Sequence, residues 1–370
     1  MSRLPIMLLA DLKAATSVPD DLYRRYELYG SVINKISKGK SPGLLLISGG
    51  HQRNSFSSTD SHLQHFAHGA KRVQFRKAAK IAFRELQSRH ILPTMIIAGD
   101  PFFGLLSAFL LRKKFSRKIP IQVSFHGEIT KSGFGTGIKG RLQNLFIQKT
   151  IAKVESVRLV STDQIHFAQK LFGVSEKQIV IAPVPLISTF KKTTRSKKKV
   201  VAFVGRIHPQ RGVGTWVEVM KNLSVKAEAL IIGDGPLKST FIEDLKEIPK
   251  VSLKATGYIS QSELEKTWSK ISVLLSTAPF ESYGMAMREA VLHGVPVVSM
   301  RNSGAQNLHD ECPKMITLVD NAVEAARAVE KVLDQPPSAV VVNKYKKDFL
   351  KAQESYLKSL AKSWLGNVGD

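Results

Sequence analysis

Two carboxylates separated by a turn of backbone are the chemistry-bearing feature of this chain. Glu281 and Glu289 stand eight residues apart in VLLSTAPFESYGMAMREAVLHGVPVVSM, residues 273–300. The short apolar run Val273–Ser276 predicts a buried strand. Residues 277–284 follow as a loop punctuated by Pro279 and Gly284, and Met285–Leu292 is expected to be a helix closed by Gly294. Val295–Met300 is the next expected strand. In such a strand–loop–helix–strand unit Glu281 lies in the loop, at the carboxyl edge where open α/β sheets bind ligands. Glu289 lies on the helix and can reach the same ligand from the side. Between them the N–H groups of Tyr283, Gly284 and Met285 open a helix N-terminus, which suits an anion and above all a phosphate. A phosphate cradle flanked by two acceptors for hydroxyl groups describes a site for a sugar nucleotide.

A second patch is cationic. An expected strand, Val200–Val204, runs into VGRIHPQRGVGT, residues 204–215, which carries Gly205, Arg206 and Arg211. Two arginines at a strand end can neutralise negative charge on a ligand. Taken together, Glu281, Glu289, Phe280, Tyr283-Gly284 and the closing Gly294 run resemble the E-x7-E signature of the family 4 retaining glycosyltransferases. The 204–215 segment resembles that family's strand-GR-x4-KG segment, with Arg211 standing where lysine is usual. The resemblance implies a GT-B fold, a nucleoside diphosphate sugar donor and retention of anomeric configuration. It gives His126, at the end of the expected strand Ile121–Phe125 and followed by Gly127, the part of meeting the transferred sugar together with Glu281. Glu289 would hold the ribose, and backbone around Gly257, Tyr258 and Ile259 the nucleobase. Asp100 would shape the same edge of the first domain. The leaving phosphate could itself take the acceptor's proton, so no side chain need serve as general base.

The chain also departs from the family. No glycine occurs in the loop after the first expected strand, residues 11–20. Residues 182–185 read APVP where a P-N-G turn is usual, and Gln306-Asn307 follow Ser303-Gly304 in place of an acid. The likeness is therefore densest over about residues 200–310 and patchy before it, in the half expected to bind the acceptor. No D-x-D pair or metal-ligand spacing occurs, so the expectation is a reaction without metal or other cofactor, with a UDP-sugar favoured over a GDP-sugar as donor.

Composition sets outer limits. The 370 residues suffice for two domains, and a hydrophobic content of 43% supports real cores. Cys312 is the single cysteine, which rules out an intramolecular disulfide. No apolar run approaches the length of a membrane span. The formal net charge is +25, and it is unevenly placed. Residues 1–185 hold 28 Lys/Arg against 11 Asp/Glu, whereas residues 201–370 hold 21 against 19. That asymmetry calls for an anionic partner of the first half. A membrane surface is the expected one, with the protein cytoplasmic and peripheral at the inner face, acting on a lipid-linked or cell-surface glycan acceptor. A nucleic-acid-binding protein is an alternative, but the basic clusters are not interleaved with aromatics as a stacking platform would be, and no nucleic acid is expected. A GT-B-fold epimerase or phosphorylase is a second alternative, since both also bind sugar phosphates.

These residues need two scaffolds. Short apolar strands at Ile6–Ala10, Gly43–Ser48, Thr94–Ala98, Ile121–Phe125, Val157–Ser161 and Gln178–Ala182 alternate with helical patterns, among them 20–36, 73–89, 103–114 and 140–153. A second series runs from Val200 to Val319. The expected organisation is α/β: a Rossmann-like domain at 1–185, a basic linker at 186–199 and a second Rossmann-like domain at 200–344, facing one another across a cleft. Helical spacing of Tyr345, Phe349, Tyr356, Leu360 and Trp364 marks a last helix, and the resemblance implies that 345–370 crosses back to the first domain. Within 140–153, Leu142, Leu145, Phe146, Ile147 and Ile151 alternate with Lys139, Arg141, Lys149 and Lys153, the composition of an interfacial helix.

Overall fold

A computed structural model describes residues 2–9, 20–49, 54–57, 62–71, 73–115, 118–126, 129, 133, 135, 137–187 and 198–365. The chain divides into two compact units, 1–185 with 352–370 and 186–351. The expected linker lies largely outside the described residues, at 188–197, as do the loop at 10–19 and Gly127.

The first unit is built on eight strands: β1 (Ser2–Leu9), β2 (Leu44–Gly49), β3 (Asn54–Ser57), β4 (Leu63–His68), β5 (Ile91–Ala98), β6 (Ile121–Phe125), β7 (Ser156–Leu159) and β8 (Ile179–Ile181). Their order across the sheet is β3-β4-β2-β1-β5-β6-β7-β8, and every pairing is parallel except β3 with β4. Helices cover both faces, so the strands read as near-continuous apolar runs: β2 is buried at all six positions. β3 and β4 were not among the expected strands. β4 reads LQHFAH, and its polar residues break the apolar run; His65 is nevertheless buried, with Nε2 2.9 Å from Ser48 Oγ on β2. A buried polar side chain persists only with such a partner.

The second unit has six strands: β9 (Val200–Val204), β10 (Ala227–Ile232), β11 (Val251–Gly257), β12 (Val273–Ser276), β13 (Val297–Met300) and β14 (Ile316–Val319). They form a parallel sheet in the order β11-β10-β9-β12-β13-β14. The chain starts in the middle, winds outward one way, then returns to wind the other way. Consequently β9 and β12 are neighbours whose following loops diverge to opposite faces of the sheet, leaving a crevice at their carboxyl ends. Two apolar layers, one centred on Trp268 and the other on Trp216, hold helices to the two faces.

The last helix, Ala339–Leu365, serves both units. Tyr345 and Phe349 pack into the core of the second unit. Leu357, Leu360, Ala361 and Trp364 pack into the first unit. There the Trp364 indole N–H donates to Gln122 Oε1 at 2.7 Å, and Thr94 Oγ1 donates to the Trp364 carbonyl at 3.1 Å.

Candidate functional site

The loops after β9 and β12 bring most of the singled-out residues of the second unit together. β9 ends in Gly205, whose N–H donates to the Ile232 carbonyl at 3.0 Å, and Arg206 follows, exposed and without an ion-pair partner among the described residues. The chain then turns through Pro209–Arg211 into the helix Val213–Asn222. Gly212 caps that helix with φ +62°, and a Cβ there would lie 2.0 Å from the Thr277 carbonyl oxygen, so only glycine fits. Thr277, just past β12, returns the contact: its hydroxyl bonds the Gly212 and Arg211 carbonyls at 2.8 and 3.1 Å. This clasp sets Arg211 against Glu281, and the two form an ion pair through Nη1 and Oε2. Both keep some solvent contact, so the pair is open to a third charged group.

The 277–284 loop is fixed from its other side. The Gly304 N–H donates to the Glu281 carbonyl at 2.6 Å, and Asn302 Nδ2 donates to the Ala278 carbonyl at 2.9 Å. The helix Met285–Leu292 begins with Gly284 at φ +73°, which supplies no side-chain cap. Elsewhere in the unit Ser260, Asn302 and Asn321 cap their helices with side-chain oxygens. The first N–H groups after Gly212 and after Gly284 have no such cap and flank the Arg211–Glu281 pair. A depression here is lined by Phe203, Arg211, Thr277, Glu281, Gly284 and Met287. Two helix ends, one paired and one unpaired arginine, and a carboxylate suit a ligand with a diphosphate and hydroxyl groups.

Glu289 is buried on the same helix, Tyr283 is buried beside it, and Met285 is half-buried. Gly257, with φ +71°, ends β11 next to β10; Tyr258 is exposed and Ile259 packs partly on the core. Gly233 N–H ties this corner to the Gly257 carbonyl at 2.8 Å. An unforeseen pair borders it: Lys238 Nζ lies 2.8 Å from Asp234 Oδ2, and this bond, with the Gly235 N–H, holds the Asp234 carboxyl below its ordinary range.

Arg288 also escaped the sequence reading, where a cation in a helix passes for a solvated one. It is 2% exposed. Its Nε donates to the Tyr283 carbonyl at 3.0 Å, its guanidinium lies 4.2 Å from the centre of the Tyr283 ring, and it pairs with Glu311. The residue therefore holds the loop that carries Glu281. Only its neighbour Glu289, singled out as a ligand group, hinted that this helix face mattered.

His126, like Asp100, belongs to the first unit, whereas the other singled-out residues belong to the second. It follows β6 directly. Protein packed around the ring, then the Arg158 and Arg25 cations, push its pKa down to about 3, although the residue keeps an exposed side. It is a neutral imidazole at neutral pH, able to donate or accept a hydrogen bond. Asp100 supports local structure. Its carboxylate oxygens accept from the Phe102 and Gly104 N–H groups, both at 3.0 Å, and so start the helix Phe103–Phe115.

Comparison with known proteins gives the class of the fold first. Sucrose-phosphate synthase from Thermosynechococcus elongatus superposes with a TM-score of 0.75 at 14% identity, covering 98% of each chain. The Anabaena protein HepE, in complex with UDP and glucose, gives a TM-score of 0.61 at 14% identity over 99% of this chain and 97% of its own. The chain shares their two-domain GT-B fold. At the level of sequence, residues 187–349 match the profile of the family described as Glycosyl transferases group 1. A 2-deoxystreptamine N-acetyl-D-glucosaminyltransferase from Niallia circulans is 31% identical over 121 residues, 32% of this chain and 31% of that one. A GDP-mannose-dependent alpha-mannosyltransferase from Corynebacterium glutamicum is 29% identical over 141 residues, 37% and 32% of the two chains. The chain thus spans about a third of the length of these curated relatives.

Proposed function

We propose that the protein is a glycosyltransferase that moves a sugar from a nucleoside diphosphate sugar to a glycan acceptor. The carrying observation is the meeting of Arg211, Glu281 and the uncapped helix starts at Gly212 and Gly284 in the crevice after β9 and β12. The family match over the same unit and the glycosyltransferases among the relatives support the reading.

In this reading the diphosphate lies across the two helix starts, with Arg206 and Arg211 countering the charge that develops as it leaves. Arginine has donors enough for Arg211 to keep Glu281 and hold a phosphate oxygen at once. Glu281 and His126 hold the transferred sugar, Glu289 the ribose, and the backbone at Gly257–Ile259 the base. Arg288 is a positioning residue, acting through Tyr283. We take the reaction to be retaining and independent of metal: the acceptor enters on the face from which the diphosphate leaves, and a phosphate oxygen takes its proton. UDP is the favoured leaving group. The acceptor is lipid-linked or part of a surface glycan, reached by a cytoplasmic enzyme peripheral to the membrane. The charge of residues 1–185 supports this, and no helix among the described residues is long and apolar enough to cross a bilayer.

Incubation with UDP- and GDP-sugars and candidate acceptors tests the activity. Acceptor-dependent release of nucleoside diphosphate that survives EDTA, with a product of unchanged anomeric configuration by NMR, is the expected result. An inverted linkage, or activity lost on chelation and restored by Mn²⁺, contradicts the mechanism. Release of free nucleotide unaffected by any acceptor contradicts the transfer.

A further inference from the structure

We infer that the helix Gly137–Thr150 of the first unit is the surface by which the protein docks on an anionic lipid bilayer. This inference deepens the membrane-proximal acceptor reading above and rests on it. The sequence pattern left the apolar residues of this segment unassigned to a face. The structure divides them. Ile147 and Ile151 are buried against the sheet, with Phe146 partly so. Ile138, Leu142 and Leu145 point the other way and are 80%, 62% and 45% exposed. At 100° per residue these three share an arc of about 60°, opposite Ile147. Single exposed apolar residues are ordinary, but three large ones stacked on one face of one helix form a patch that water disfavours.

Charge complementarity selects the occupant. Between Gly137 and Lys153 there is no acid, and Lys139, Arg141, Lys149 and Lys153 are all exposed. Lys149 continues the apolar stripe one turn beyond Leu145, and Lys139 and Arg141 flank it. A protein partner that covered this patch would need carboxylates around an apolar pocket. A bilayer with anionic headgroups offers acyl chain beneath phosphate everywhere, and a helix with short apolar teeth and a basic margin lies in that interface. The long stems of lysine and arginine let the charges stay at headgroup level while the leucines enter.

Co-sedimentation with vesicles of phosphatidylcholine, alone or mixed equally with phosphatidylglycerol, tests the inference. Wild-type protein should bind the mixed vesicles, bind phosphatidylcholine poorly, and lose affinity as salt rises. Changing Ile138, Leu142 and Leu145 together to Gln should lower binding to mixed vesicles by about tenfold or more. These side chains are exposed, so the fold is expected to survive, and an unchanged melting temperature checks that. Leu142→Trp gives an independent readout. The three native tryptophans are fully buried, so an emission shift to the blue on adding mixed vesicles reports position 142. Wild-type-like sedimentation of the triple variant, equal binding to neutral vesicles, or an unshifted Leu142→Trp spectrum overturns the assignment. Calorimetric binding of UDP or GDP on the same samples separates the two readings. Nucleotide binding without vesicle binding removes the docking surface alone; vesicle binding without nucleotide binding removes the transferase reading and leaves the surface.

Discussion

Glu281 and Glu289 lie on either side of one helix start, but their surroundings differ, and so should the effects of removing them. Glu281 is partly exposed, paired with Arg211 and set beside the uncapped helix ends. Glu289 is buried within its helix. Replacing Glu281 by Ala frees Arg211 and, in the proposed function, takes away a group that holds the reacting sugar. The expected loss is in kcat, about 100-fold or more, with donor affinity changed far less. Glu289→Ala should act mainly on donor KM, and steady-state kinetics on both variants separates the two roles. Wild-type rates in either variant remove that residue from the site. Both acids and both arginines stand out in the sequence because their types and spacing are unusual and local. What local sequence did not disclose is that Arg211 and Glu281, far apart in the chain, close on one another. That contact depends on Gly212 fitting under the Thr277 carbonyl, a matter of close approach between two loops.

The 277–284 loop and the helix after it behave as one element, and Arg288 is its internal brace. Removing its guanidinium takes away a buried hydrogen bond to the Tyr283 carbonyl and the cation over its ring. Arg288→Leu should lower stability by roughly 2–4 kcal/mol and loosen the Glu281 loop. The readouts are a lower melting temperature and a rise in donor KM of about tenfold. A melting temperature and KM both unchanged would show that the loop is held without Arg288. Elements of this kind expose the limit of periodicity. The patterns located the helices 20–36 and 103–115 closely, because apolar spacing reports a shared face. They do not report what covers that face. Arg288 passed for a surface cation since Glu311 and Tyr345 come from elsewhere in the chain. The segment 140–153 likewise showed apolar residues nearly all round, and only packing separates Ile147 from Leu142.

The molecule as a whole carries buried histidines in both units, and they set its response to acid. Burial pushes His68 of the first unit and His293 of the second down to about 4. Their folded pKa lies below the unfolded value near 6.5, so the unfolded chain binds more protons between the two. Their contribution is therefore complete above about pH 6.5 and is lost as pH falls from there towards 4. Each costs on the order of 3 kcal/mol at the acid end. Thermal melts across pH 4–7.5 should show a steep fall below 6.5, softened by His68→Gln. A flat profile over that window would deny that the two rings are held neutral. At this scale the alternation of strands and helices made the two α/β sheets legible, while β4 was hidden by histidines that look polar and are buried. The central claim is a diphosphate site after β9 and β12, and calorimetric titration with UDP and GDP in the presence of EDTA tests it most directly. Binding of at least one by the wild-type protein is expected, weakened at least tenfold in Arg206→Ala and in Arg211→Ala, without a change in fold. Failure of both nucleotides to bind, or equal affinity in the arginine variants, would contradict it.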